Sequence, residues 1–511
     1  MRGKFLCQSQ EKVDEEIRAL ERRLCALRTS RNSFAYINQL PAELLTEIFL
    51  WTQAPYIERD PSHIIKWIRV THVSKHWRSL AFSSTVLWTT IPTHNPAYAQ
   101  LASQLSFPVP VSIVRGAPDV ETPDTEALEV FVSLLQRTRD VNATDYVGTF
   151  LFEALQNASS NLPYLQDVEF DEIGVHLSTK ESPFPKSLKR VSLSNSPLEW
   201  SWLKFDQLTE LHLRYCNNPE IAINSFLDHM SQIPRLSYLE IRWLLVSRQV
   251  ERQNPSHQQR PVTLTLEHLI IEDDLVSVTK FLSCVQLTER FTLRVELDID
   301  DETPDETFAF FQQIDRHLQP SQWVIRSASL IRPDMYYYTL SCFDQNTSTT
   351  PFLVIEGHEI PDEEVQLFLD GMQTLPFNKM QRLSTDAFAD ASEWEDCRFR
   401  TLESIQELVI CDCDSSNAYI NFSMVEMDAA GRSDNVNISF PALKRITLHD
   451  VEYRGDVGKK IKAIFTGRAE HAFRIEELTF KGGRIEEEGV KNLRTVVNKV
   501  ILMKGNDQLP L

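Results

Sequence analysis

Residues 38–53, NQLPAELLTEIFLWTQ, and residues 67–88, WIRVTHVSKHWRSLAFSSTVLW, decide how this chain is read. Four of its nine tryptophans, Trp51, Trp67, Trp77 and Trp88, fall in this short span, which marks a packed unit rather than a linker. Pro41 suits a first helical position, where no backbone N–H is needed. Leu40, Leu44 and Ile48 then step by four, and Leu45 and Phe49 form a second row beside them. Val70, Val73, Trp77 and Leu80 repeat at three and four, and Ser83, Ser84 and Thr85 end that second helix before Leu87 and Trp88. A segment of about fifty residues cannot bury so many large apolar side chains against itself. One row of the first helix can pack inward. The other needs a partner, which predicts a protein interface.

The order Leu40-Pro41-x-Glu43-Leu44-Leu45-x-x-Ile48-Phe49, then Val73-Ser74-Lys75-x-Trp77-Arg78-x-Leu80-Ala81, then Leu87-Trp88, resembles an F-box, in particular that of the fungal F-box-like domain proteins. The resemblance implies docking on a Skp-type adaptor and, through it, a cullin. It implies adaptor-binding roles for Leu40, Pro41, Leu44, Ile48, Phe49, Val73, Trp77 and Trp88. Some of these must be internal to the domain, with Leu44 and Trp77 the expected core pair. The link from Thr52 to Trp67 is longer than usual for the family. Its Pro55 and Pro61 predict a loop ending at a Ser62 N-cap.

On the N-terminal side, Val13, Ile17, Leu20, Leu24 and Leu27 step by four, three, four and three. This is a heptad seam flanked by Glu and Arg, though barely two heptads long. It reads as an amphipathic helix that folds back or frays. The alternative is a short coiled coil through residues 13–27 that pairs two copies.

On the C-terminal side, Val109–Val114 predicts a strand, Ala117–Asp124 a loop and Glu126–Arg139 a helix. A repeat then begins. Leu165-x-x-Val168-x-Phe170 recurs from Leu188, Leu208, Leu236, Leu266, Ile405, Leu443 and Ile475. The last two apolar positions lie two apart, so they face one side of a strand. One unit buries too little to stand alone, so neighbours must stack. The pattern resembles a leucine-rich-repeat array. The asparagine expected three residues beyond the last apolar position is missing almost everywhere, and Cys216 and Cys413 replace it in two units. From Leu275 to Arg400 only Phe291-x-Leu293 and Leu353-x-Ile355 suggest repeats, which leaves either degenerate units or an insertion.

With 72 acidic against 52 basic residues, the net charge of −20 argues against non-specific nucleic-acid binding. The acidic runs Asp298–Glu306 and Glu359–Glu364 read as solvated loops, with a contact for a basic partner as the sharper alternative. The eight cysteines are scattered without C-x-x-C, so neither a disulfide frame nor a zinc site is supported. No apolar run suggests a signal peptide or a membrane span, which points to a cytoplasmic or nuclear setting. Phosphate-cradling glycine loops and nucleophile motifs are absent from the sequence. Cys411-Asp412-Cys413-Asp414 reads as repeat packing rather than a metal site. His72 and His76 read as helix-face residues.

The fold expected is therefore an α+β or α/β solenoid: a helical F-box followed by an irregular leucine-rich-repeat array. The divisions are 1–33 (heptad helix), 34–92 (F-box), 93–160 (linker and start of the solenoid) and 161–505 (repeats). The expected function is the non-catalytic substrate receptor of an SCF-type ubiquitin ligase, with no cofactor and no metal. Candidate target contacts are the outward strand residues His212, Arg214, Tyr215, Arg242 and Trp243, whose plainer role is surface polarity. The rivals are a repeat scaffold whose F-box no longer joins a ligase, and an enzyme hidden in Leu275–Arg400.

Overall fold

The computed structural model describes residues 2–58, 61–115, 125–158, 162–174, 185, 187–196, 206–216, 223–245, 261–288, 290–299, 304–334, 337–346, 348–358, 360, 362–385, 402–411, 425–426, 437–438, 440–449, 452–453, 455–482, 484–485 and 487–503. It divides into two compact units, Met1–Leu208 and Thr209–Leu511.

The first unit opens with helices α1 (Arg2–Ser33), α2 (Ala42–Glu58) and α3 (Lys75–Ser83), with a 3-10 helix over Pro61–His72 between the last two. The expected loop and Ser62 cap are therefore corrected. Helix α2 runs past Pro55, close to its C-terminal end, where a missing N–H removes a single intrahelical bond. Pro61 opens the 3-10 helix, where its lack of a donor costs nothing. Ser74 caps α3, its side chain accepting from the Trp77 N–H.

Strands β1 (Thr90–Pro92), β2 (Val111–Val114), β3 (Thr138–Thr144), β4 (Asp167–Asp171) and β5 (Arg190–Ser194) then pair in chain order, all parallel. Helices α4 (Pro96–Leu105), α5 (Thr125–Leu134) and α6 (Asp145–Ala158) form the crossovers between the first strands, as parallel pairing requires. Ile91, Ile113, Val141, Val168 and Val191 stand side by side in register, and each is essentially buried. Stacking thus begins at Thr90, well before the first repeat motif at Leu165. The first three strands lack the L-x-x-L-x-L spacing, so the sequence did not reveal them as repeats. The loop expected at Ala117–Asp124 falls outside the described residues.

In the second unit, strands β6 (Glu210–Arg214), β7 (Tyr238–Arg242), β8 (His268–Asp274) and β9 (Thr292–Asp298) continue the parallel scheme. Strand β9 then pairs with β12 (Leu353–His358) rather than with the strand that follows it. Between them in the chain, β10 (Ser327–Asp334) and β11 (Tyr337–Phe343) form an antiparallel hairpin, with β11 lying between β12 and β10 in the sheet. From β10 the order resumes through β13 (Arg382–Thr385), β14 (Glu407–Ile410), β15 (Arg445–His449), β16 (Glu477–Lys481) and β17 (Lys499–Met503), all parallel. The weak stretch after Leu275 is therefore both things at once: repeat-like strands with one hairpin inserted. Helices α7 (Ile223–Met230), α8 (Leu275–Cys284), α9 (Pro304–Leu318), α10 (Asp362–Met372), α11 (Gly455–Glu470) and α12 (Glu487–Leu493) fill the connections. The acidic run ending at Glu306 is not all loop. Asp305 and Glu306 lie in the first turn of α9, where the helix dipole favours negative charge.

The missing asparagine is replaced by backbone geometry. Glu172, Asn195, Tyr215 and Trp243 each follow a strand and adopt positive φ, at 55°, 48°, 53° and 50°. That turn aims the N–H at the next strand. Glu172 donates to the Ser194 carbonyl at 3.0 Å, Tyr215 to Arg242 at 2.8 Å and Trp243 to Glu272 at 2.7 Å. Cys216 is buried at the asparagine position, as its spacing suggested, and Cys413 lies outside the described residues.

Asp273, at the end of β8, accepts from the Leu245 N–H at 2.8 Å and from the Asp274 N–H at 3.0 Å. Burial pushes its carboxyl up to about 6. The native state therefore takes up a proton before the unfolded chain does. The stability this group contributes is complete below about pH 4 and is lost as pH rises through 6. In Asp273→Asn, urea unfolding followed from pH 4 to 7 should lose that slope. Relative to wild type, the variant gains up to about 3 kcal/mol between those limits.

Candidate functional site

Within residues 37–92 the two rows of α2 separate as amphipathicity demands. Leu45 and Phe49 are fully buried, together with Trp67, Ala81, Leu87 and Trp88. The rings of Phe49 and Trp77 meet at 5.0 Å, and Trp67 meets Trp88 edge-on at 5.0 Å. The indole N–H of Trp88 donates to the Ala81 carbonyl at 2.8 Å, and Gln53 donates to the Leu87 carbonyl at 2.8 Å, so the buried polar atoms are paired. Trp77 is half-buried and donates from Nε1 to Asn38 Oδ1 at 2.6 Å. Asn38 in turn donates to the Asn32 carbonyl at 2.6 Å, rooting the end of α1 on this domain.

The other row faces outward. Leu44 is 47% exposed, Ile48 36% and Trp51 73%, at positions i, i+4 and i+7 of one helix face. Pro41 and Val73 are also exposed, and Leu40 is half-buried. Two placements differ from expectation. Leu44, expected inside, lies on the surface, because Leu45 and Phe49 form the buried apolar row of α2. Phe49 and Trp88, expected at a partner, are sealed in the core beneath that surface. Trp51, singled out by no motif, is the most exposed residue of the stripe. Its i+7 spacing from Leu44 was the available sign. His72 and His76 are exposed on the neighbouring elements.

In the second unit, register assembles a charged face. Arg214, Arg242, Glu272, Glu296 and Glu356 stand opposite one another across β6, β7, β8, β9 and β12. Two residues earlier, on the same face, lie His212, Glu240 and Arg294. Like charges directly opposite repel. Unlike pairs within, directly across and diagonally between the strands offset this. Glu240 binds Arg214 at 2.8 Å and Arg242 at 2.6 Å, and His212 Nδ1 lies 2.7 Å from it. Arg242 also pairs with Glu272, and with Glu296 at 2.9 Å. Arg294 bridges Glu296 at 2.9 Å and Glu356 at 2.7 Å. Trp243 donates to Glu272 at 2.8 Å. The sequence-derived set thus converges, with one correction: His212 is buried beneath the network and orients Glu240 instead of facing a partner. Its ring lies tilted against that of Tyr238, with centroids 4.8 Å apart. Tyr215 remains 46% exposed at the rim.

Burial raises the Glu240 carboxyl, but the hydrogen bonds from His212, Arg214 and Arg242 outweigh it and hold the group well below the usual carboxylate range. Burial lifts Glu296 instead. Glu296, Glu356 and His358 bring three possible ligand atoms within 4.8 Å of one another, the metal-capable cluster among the described residues. Both carboxylates already pair with guanidinium groups, so a cation would have to displace Arg242 or Arg294. No helix among the described residues is long and apolar enough to cross a membrane.

Glu240→Gln should cost about 1.5–3 kcal/mol at pH 7, the worth of hydrogen bonds to a charged group. Because the native carboxyl is depressed, its contribution is present above the unfolded value and lost as pH falls through the native one. The gap between variant and wild type, measured by urea unfolding, should therefore narrow below about pH 4.5.

The F-box-like family model matches residues 37–92. No match was found among curated proteins. Among solved structures, the chain is similar to the leucine-rich repeat-containing protein LegL7 from Legionella pneumophila, at 12% identity and a TM-score of 0.26 over 76% of this chain and 92% of that one. It is also similar to the crystal structure of the Rad7 and Elc1 complex in yeast, at 9% identity and a TM-score of 0.29 over 93% of this chain and 94% of that one. Residues 37–92 are thus an F-box-like segment, followed by a leucine-rich-repeat-like array of parallel strands.

Proposed function

We propose that the chain is a non-catalytic substrate receptor of an SCF-type cullin–RING ubiquitin ligase, working in the cytoplasm or nucleus. The Leu44–Ile48–Trp51 stripe docks on a Skp-type adaptor and, through it, a cullin. The observation that carries this reading is that the exposed apolar stripe lies inside the F-box-like segment, on a helix whose opposite row is fully buried. The exposed Pro41 and Val73 and the half-buried Leu40 and Trp77 are the further candidate contacts. The charged face around Glu240 and Arg242 is the proposed target surface, with Arg214, Tyr215 and Trp243 at its accessible margin. The mechanism is proximity: a held target meets a conjugating enzyme on the same scaffold at high effective concentration, and this chain performs no chemistry.

Calorimetric titration of the full chain with a purified Skp-type adaptor tests the proposal. A buried apolar anchor contributes about 2 kcal/mol, so Leu44→Asp or Ile48→Asp should weaken binding about 30-fold. The melting temperature should stay unchanged. Trp88→Ala is the contrasting variant, lowering the melting temperature through a core cavity. Adaptor binding that is absent, or indifferent to both stripe substitutions, leaves the scaffold reading in its place.

A further inference from the structure

Helix α1 does not fold back. Every residue from Gln10 to Arg31 is exposed, including the whole seam, with Val13 at 55%, Ile17 at 48%, Leu20 at 60%, Leu24 at 47% and Leu27 at 63%. Of the expected alternatives, the helix that folds back on its own domain is therefore corrected. Ile17, Leu20, Leu24 and Leu27 line one shallow groove, flanked by Glu21 and Arg23. At 32 residues the helix is about 48 Å long. Its root is held by Asn38, which joins Asn32 to Trp77.

Charge along the helix is segregated. Residues 11–16 carry Glu11, Asp14, Glu15 and Glu16 against one lysine, whereas residues 22–31 carry Arg22, Arg23, Arg28 and Arg31 and no acid. From these charges and the exposed seam we infer that α1 pairs with α1 of a second copy of this chain, antiparallel. With Ile17 against Leu20 of the other copy, Val13 meets Leu24, and the acidic half of each helix lies along the basic half of its mate. Glu16 then faces Arg23 across the flank. Asp14 beside Glu21 is the one unfavourable neighbour. A parallel pair would instead set Glu16 against Glu21 and Arg23 against Arg28, so that like charges repel at both flanks. Antiparallel helix dipoles add to the preference. The arrangement places the two F-box-like segments at opposite ends of the paired helices, about 40 Å apart along the axis. The seam is shorter than a standard interface demands, so dissociation falls in the roughly micromolar range.

Sedimentation equilibrium of the full chain, with charge reversals, tests both pairing and direction. Wild type should show a monomer–dimer equilibrium below 100 μM, and Leu20→Glu with Leu24→Glu should abolish it. Reversing the acidic half (Glu11, Asp14, Glu15 and Glu16 to Lys) or the basic half (Arg22, Arg23 and Arg28 to Glu) should each weaken dimerisation at least tenfold. Making both reversals together should restore it. These residues are exposed, so the melting temperature of the F-box-like core should not move. A wild-type chain monomeric at 100 μM overturns the inference, as does a dimer that survives the Leu20 and Leu24 substitutions. A dimer indifferent to reversal of either half overturns the antiparallel arrangement.

Discussion

Parallel pairing in register is the constraint on which the repeat array depends. A single unit contributes two or three apolar residues on a five-residue strand, too little to exclude water alone. Set side by side, Leu211, Leu239, Leu269, Leu293 and Leu353 form one unbroken buried row across neighbouring strands. The inserted hairpin keeps that row intact. Cys342 of β11 continues from Leu353, and Ala328 of β10 hands it on to Leu383 and Leu408. Reversing one strand changes the hydrogen-bond pattern but not which side of the pleat a residue faces, so the array tolerates the interruption.

The same register that stacks leucines also builds the charged face. Residues two apart share a side of a strand, so outward residues next to the buried row must align as well. Arg214 sits opposite Arg242, and Glu272, Glu296 and Glu356 sit in one row; the directly opposed pair Arg242–Glu272 and the contacts that Glu240, Arg242 and Arg294 make out of register offset that repulsion. The face is thus a coupled network, in which a change at Glu240 releases His212, Arg214 and Arg242 together. The F-box-like segment obeys a different logic. Its tryptophans interlock at ring distances of about 5 Å, and that core forces one row of α2 outward.

Much of this was legible in order and spacing. The paired rows of the first helix and the eight L-x-x-L-x-L units required only periodicity, and those units lie on parallel strands. Three features were hidden. The strands before Leu165 carry buried apolar residues two apart, such as Val111 and Ile113, but without the L-x-x-L-x-L spacing. The positive-φ residues that replace the asparagine ladder carry no common side chain, since the work is done by a backbone N–H. The hairpin within the weak stretch is set by pairing between segments distant in sequence.

The sequence by itself determined that a tryptophan-rich helical unit precedes stacked strands, and that the first helix carries one apolar row too many. Those conclusions rest on local period and on how much apolar surface a short segment can bury. Only the tertiary structure decided which row is outward, that Phe49 and Trp88 are core while Leu44 and Trp51 are surface, and that His212 lies beneath the charge it orients. These are matters of which neighbour arrives at each face. The residues of one row share a helical period whether they meet Trp77 or water, and only packing distinguishes them.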